Sequence, residues 1–152
     1  MNLEKFFRQQ LEQDLWANEC WIQFLEGKPV GFESKVLLAK YVSESRRWAC
    51  SILDEKFEEC YISDIKTYVQ RSYRLWVQVL DQCDLGQTFS VKQEEGHTKS
   101  LGLSDIIWNS LAYGTFGRGR VKSFVEQEGI DKAEMPVTSP FAYLEKIEEC
   151  VP

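Results

Sequence analysis

The sequence predicts an all-α fold of four long helices followed by a short helix near the C-terminal end. Apolar residues recur every three or four positions in four segments, and residues that favour turns separate these segments. Helices of roughly twenty to twenty-five residues are about 30 Å long, which matches the content of a four-helix bundle. A chain of 152 residues suits one domain, here residues 1–152.

The first helix is predicted over residues 3–25 and the second over residues 34–57. The segment EGKPVG ends the first helix through Gly27 and Pro29, and Ser34 is a candidate N-cap of the second. The apolar stripes are Phe7, Leu11, Leu15, Ile22 and Leu25 in the first helix, and Leu37, Tyr41, Trp48 and Ile52 in the second.

A third helix is predicted to begin at a cap formed by Ser63 or Asp64. Its apolar stripe is Ile65, Val69, Trp76 and Leu80. Between residues 84 and 102 the pattern changes, because Thr88, Phe89 and Val91 favour strands and EEGH favours a turn. This long connection is predicted to be a short hairpin or an irregular segment.

The fourth helix is predicted over residues 104–128, with Ser104 as its cap and the glycine of EQEGID at its end. Its apolar positions are Ile107, Leu111, Phe124 and Val125. After the turn-forming EMPVTSP, a short helix over residues 141–149 carries Phe141, Leu144 and Ile147 on one side.

Composition and charge exclude several classes of protein. The net charge of −6 disfavours an extended nucleic-acid surface, and no run of roughly eighteen apolar residues predicts a membrane span. The first residues, MNLEKFFRQQLEQD, show no secretory signal. We therefore expect a soluble, cytoplasmic protein that binds neither nucleic acid nor membrane.

The cysteines and the single histidine predict no metal site. Cys20, Cys50, Cys60, Cys83 and Cys150 are widely spaced, without a CxxC motif, so we expect reduced thiols that pack between helices. His97 lies in the predicted hairpin segment, where an exposed or packing role is expected. A nucleophilic Cys20 lacks a nearby histidine that would act as its base.

The stretch LAYGTFGRGRVKSF, residues 111–124, places three glycines inside the fourth helix. A phosphate loop would need a strand before the glycines, and an RNA-binding Arg/Gly tract would need a disordered basic segment. Neither context is present. Glycine inside a helix costs about 1 kcal/mol relative to alanine, so these glycines require close helix packing or space for a ligand.

The middle of the helix stripes is polar or lacks side chains. The positions are Asn18 in the first helix, Lys40 and Glu44 in the second, and Tyr113 and Gly117 in the fourth. This pattern predicts a small ligand pocket at mid-height. In the alternative interpretation Lys40 reaches the surface and pairs with Glu44, and the glycines only let helices approach.

Three segments resemble the DinB/YfiT-like proteins, which are bacterial four-helix bundles related to thiol-dependent S-transferases. The segments are LWANECWIQFLE, LLAKYVSESRRW and LSDIIWNSLAYGTFGRGRVKSFVEQEGI. The resemblance implies a site in which three histidines hold a divalent metal. The matching positions here are Lys40, Tyr113 and Gly117, so the resemblance implies that the metal site is lost. The position of Arg118 in the family's motif also implies that it forms an internal ion pair or caps carbonyls.

Two functions follow from the resemblance. The first is a metal-free bundle without cofactor that binds a small ligand or assembles, as a homodimer. The alternative is an enzyme that uses Lys40 as a cation or desolvated base and Tyr113 as a hydrogen-bond donor to a small anionic or thiol ligand.

Overall fold

The fold is mainly helical, as predicted. The computed structural model describes residues 2–92 and 96–149. The long helices are α1 (Leu3–Leu25), α2 (Gly31–Leu53), α3 (Ile65–Gln82) and α4 (Leu103–Gln127), and α5 (Pro140–Glu149) is the short helix that the sequence predicts. Strands β1 (Thr88–Lys92) and β2 (Thr98–Gly102) form an antiparallel hairpin between α3 and α4, with Thr88 opposite Gly102. The predicted turn at EEGH lies partly outside the described residues.

Two apolar clusters give the directions of the long helices. One cluster joins the C-terminal ends of α1 and α4 to the N-terminal halves of α2 and α3, through Trp21, Val125, Leu38 and Ile65 among others. The other joins the opposite ends, through Leu11, Ala49, Val79 and Ile106 among others. Helices α1 and α4 therefore point one way, and α2 and α3 point the other way.

Because α2 and α3 are parallel, the chain between them must return along the length of the helices. Residues 54–64 make this connection, and eleven extended residues span up to about 36 Å. Asp54 ends α2 with a left-handed backbone, at φ 53°. The hydroxyl of Tyr68 on α3 donates to the carbonyl oxygen of Glu58 at 2.8 Å, which holds the returning chain against α3.

Three predicted details of helix beginnings and ends are wrong. Helix α2 begins at Gly31, so Ser34 is a buried residue inside the helix and not its cap, and α2 ends at Leu53 instead of residue 57. Helix α4 begins at Leu103, and the Ser104 hydroxyl donates to the Leu85 carbonyl oxygen at 3.2 Å instead of capping. The predicted cap position of α3 is confirmed, because Asp64 is its N-cap residue, although its side chain makes no capping hydrogen bond.

Helix α5 packs on α1 through Tyr143, whose ring lies 5.5 Å from that of Trp16, and whose hydroxyl donates to Glu12 at 3.3 Å. Its predicted apolar side, Phe141, Leu144 and Ile147, is exposed. No helix within residues 2–92 and 96–149 is long and apolar enough to cross a membrane.

Candidate functional site

The five residues of the predicted pocket lie in different surroundings. Asn18 is buried, Glu44 and Tyr113 are half-buried, and Gly117 is buried in a contact between helices. Lys40 is exposed, so its predicted inward position is wrong. Its ammonium lies 5.7 Å from the Tyr41 ring centre, and Glu44 pairs with Arg47 at 3.6 Å. The cause is the rotation of α2, whose buried side runs through Leu38, Val42 and Ala49.

At the position where the sequence predicted a lost metal site, α2 and α4 are in direct contact. The Tyr41 ring packs on Gly117, and its centre lies 4.9 Å from that of Tyr113. A Cβ atom at position 117 would lie 2.7 Å from the Cβ atom of Tyr41, which is too close for any side chain without movement of a helix. These residues therefore do not fit a three-histidine metal site, because an aromatic ring occupies the space and Gly117 supplies no ligand.

No group of three His, Cys, Asp or Glu residues in the described ranges is placed to hold a metal ion. The only histidine, His97, is exposed and directly precedes β2.

A small cavity lies at mid-height, its surface is mostly apolar, and of the five predicted residues only Asn18 lines it. Asn18, Ser45, Ser72 and Ser110 face it from α1, α2, α3 and α4. The Trp76 indole Nε1 donates to the Ser45 hydroxyl at 2.9 Å, and the hydroxyls of Ser45 and Ser110 share a short hydrogen bond. Asn18 was a predicted pocket residue, whereas the serines of the other three helices were not.

The size of this cavity decides what it can hold. Its volume is about 30 Å³, whereas ligand pockets are about 300–1,000 Å³ and one water needs about 10–15 Å³. It has room for one or two water molecules and not for a substrate.

Beside this cavity, Arg118 of α4 forms the predicted internal ion pair. Its Nη1 lies 2.6 Å from Asp14 Oδ1 and 3.0 Å from Asn18 Oδ1, both on α1. The Arg118 side chain is only 11% exposed. A Cβ atom at Gly114 would lie 2.7 Å from the same Asp14 oxygen, so this glycine makes room for the ion pair. Asp14 was not predicted, because nothing in the sequence of α1 distinguishes it from the neighbouring acids.

Outside the Arg118–Asp14 pair, a groove of about 450 Å³ runs between α1, α4 and residues 132–140. We call it the α1/α4 groove. Trp21, Leu111, Met135 and Pro136 supply apolar surface, and Thr115, Thr138 and Ser139 supply hydroxyls. Two further cations, Lys122 and Lys132, line it, and Gly119 lies on its wall with open space around its α-carbon. Its volume lies within the range typical of ligand pockets.

Four of the five cysteines lie within the described residues, and none of these four pairs in a disulfide. Cys20, Cys50, Cys60 and Cys83 are free thiols, whereas Cys150 lies outside the described residues. Burial raises the pKa of Cys20, which disfavours the thiolate that a nucleophile needs. Burial likewise raises the pKa of Cys60, to about 11.

Comparisons of the chain with protein-family models, with curated proteins and with solved structures found no match. The similarity to DinB/YfiT-like proteins therefore stays a prediction from the sequence.

Proposed function

We propose that this chain is a DinB-like four-helix bundle without metal chemistry, and that it binds a small organic acid in the α1/α4 groove. The observation that carries the proposal is the groove itself, which combines a volume of about 450 Å³ with an apolar wall, hydroxyls and the cations Lys122 and Lys132. An apolar wall with a few polar groups is the usual composition of a ligand site.

The charges of the groove favour an acidic ligand. Asp14 neutralises Arg118 at a distance of 2.6 Å, so the ion pair adds no net charge to the groove. Lys122 is exposed and forms no ion pair within residues 2–92 and 96–149, whereas Lys132 lies 3.7 Å from Glu126. Lys122 is therefore the cation available to a carboxylate, while the apolar part of the ligand contacts Met135 and Pro136.

The test is an NMR titration of the full chain with benzoate and hexanoate, followed through backbone amide signals. We expect saturable shifts at Thr115 and Thr138, with a dissociation constant in the millimolar range for such small probes. Gly119→Leu should abolish binding, because its side chain extends into the groove where a Cβ atom meets no neighbour within 4 Å. The variant should remain folded for the same reason.

Lys40→Gln is the matched control, because Lys40 is an exposed cation outside the groove. The same variant tests the alternative function, an enzyme that relies on Lys40 and Tyr113. The exposure of Lys40 disfavours this alternative. Equal loss of binding in Lys40→Gln and Gly119→Leu, or no saturable shift with either probe, would refute the groove. A transition metal bound at one ion per chain would contradict the metal-free part of the proposal.

We also propose assembly as a homodimer through α2 and α4. Phe32 and Val36 on α2, and Phe116 on α4, are 66%, 44% and 58% exposed, and the Phe116 ring lies 5.9 Å from that of Tyr41 between the two helices. Exposed apolar groups on adjacent helices favour association. Sedimentation equilibrium should give a dimer that Phe116→Glu dissociates, with Phe141→Glu on α5 as the control. A monomer at about 100 μM would refute this.

A further inference from the structure

A further pocket lies away from the α1/α4 groove, between α2, α3 and the returning chain at Glu55 and Lys56. Its volume is about 220 Å³. Four cations line it, namely Arg46, Lys56, Arg71 and Arg74, and Glu55 is its one carboxylate. This concentration of positive charge stands out in a chain whose net charge is −6.

The sequence brings these cations together through three local features. Arg46 and Cys50 are four residues apart on one side of α2, and Arg71, Arg74 and Gln78 follow helical spacing on α3. The chain reverses after α2, because the Glu55 amide donates to the Cys50 carbonyl oxygen at 2.9 Å. This reversal places Lys56 over the same pocket.

Arg46 is the unusual member. It is buried, at 8% exposure, and no carboxylate in the described part of the chain pairs with it. Its guanidinium stacks on the Tyr68 ring at 4.2 Å and donates a long bond of 3.5 Å to the Tyr68 carbonyl oxygen. Its Nε is buried without a hydrogen-bond partner in residues 2–92 and 96–149.

Buried arginines are normally paired, because an uncompensated charge away from water is costly. The other three cations also form no ion pair among the described residues, and Glu55 is the one carboxylate among the described residues that line the pocket. The charge of Glu58 also acts on Cys50, so one further carboxylate lies nearby. Arginine presents a fork of donors that suits phosphate oxygens. A pocket of about 220 Å³ is smaller than those of drug-sized ligands and suits a single oxyanion group.

We propose that the pocket formed by Arg46, Lys56, Arg71 and Arg74 binds a phosphate group, either free or carried by a small molecule. Arg46 donates to the phosphate oxygens from the floor of the pocket. Arg71 and Arg74 contact them from the exposed rim on α3. This site is separate from the α1/α4 groove, so either proposal can fail without the other.

The test is calorimetric titration of the full chain with inorganic phosphate in a low-salt buffer. We expect saturable binding in the millimolar range. Arg71→Gln combined with Arg74→Gln should weaken it about tenfold or more, because each lost contact to a charged oxyanion is worth on this order. Both residues are exposed, so the double variant should fold. The Arg46 Nε proton should also shift in NMR spectra when phosphate is added.

The matched control is Lys122→Gln with Lys132→Gln, which removes the same charge from the α1/α4 groove. In this control the phosphate affinity should stay within about twofold of that of the original chain, a change much smaller than the tenfold loss expected for the double arginine variant. An equal loss of phosphate affinity in both double variants would overturn the proposal. So would the absence of saturable binding up to about 50 mM phosphate, because a specific site binds more tightly than that. Binding only to vesicles that contain phosphatidic acid, without binding of inorganic phosphate, would also overturn it as a small-molecule site.

Discussion

The three glycines of LAYGTFGRGRVKSF have different surroundings, and this difference predicts three different effects of alanine. At Gly117 a Cβ atom would lie 2.7 Å from the Cβ atom of Tyr41. At Gly114 it would lie 2.7 Å from Asp14 Oδ1, and at Gly119 it would meet nothing within 4 Å. Each alanine also gains about 1 kcal/mol of helix propensity.

The net effects follow by comparing this gain with the steric cost. Gly119→Ala should raise the free energy of unfolding by up to about 1 kcal/mol. Gly117→Ala should lower it by about 1–2 kcal/mol, because an overpacking cost near the upper end of about 1–3 kcal/mol exceeds the helix-propensity gain of about 1 kcal/mol. The Tyr41 ring cannot move aside easily, since it is 5% exposed and touches the rings of Tyr113 and Phe116. Gly114→Ala should lie between them, because a carboxylate can shift.

Urea unfolding followed by circular dichroism and tryptophan fluorescence measures all three effects. A double-mutant cycle of Gly117→Ala with Tyr41→Ala should show a coupling of about 1 kcal/mol, because the second change removes the ring from the clash. The rescue should be incomplete, since the Cβ atom of residue 41 remains. A Gly117→Ala variant as stable as Gly119→Ala would contradict the tight contact between Gly117 and Tyr41.

Two further predictions concern an ion pair and a thiol. Asp14→Asn should lower the free energy of unfolding by about 2 kcal/mol, because its partner Arg118 is nearly buried. Glu4→Gln, in the exposed pair with Arg8, should lower it by less than about 1 kcal/mol. Equal losses in urea unfolding would contradict this difference. Burial raises the pKa of Cys60 from 9.0 to about 11, so folding favours its neutral thiol, and this stabilisation is present below pH 9 and lost as the pH rises towards 11. The unfolding free energy of Cys60→Ala should therefore fall less steeply over that range than that of the original chain. Parallel profiles would contradict a raised pKa for this half-buried thiol.

The helices were predictable where the apolar periodicity and the residues that end helices indicate the same boundaries. All four residues of the predicted α3 stripe are buried, and α1 ends at Leu25 just before Gly27, whose φ is +72°. The end of α2 was missed because DEKFEE contains good helix formers, so nothing local predicts the left-handed Asp54.

The rotation of α2 was missed for a different reason. Its buried side consists largely of small or polar residues such as Ser34, Ala39, Arg46 and Ala49, whereas the large Trp48 is only half-buried. The apolar stripe predicted for α2 rested on large residues such as Trp48, and this placed Lys40 on the inward side. Small residues are buried here because α2 approaches its neighbours closely, as the contact between Tyr41 and Gly117 shows.

The candidate sites depend on tertiary relations that no single segment contains. Arg46 and Lys56 are ten residues apart, and a continuous helix over 34–57 would have placed Lys56 about 15 Å beyond Arg46 along its axis. The early end of α2 at Leu53 and the reversal at Glu55 instead return Lys56 to the same pocket. The same returning segment lets α3 run parallel to α2 and bring Arg71 and Arg74 beside Arg46. The cationic pocket was therefore not predictable from a helix that ends at residue 57, because such a helix lacks the turn after Leu53 that brings Lys56 near Arg46.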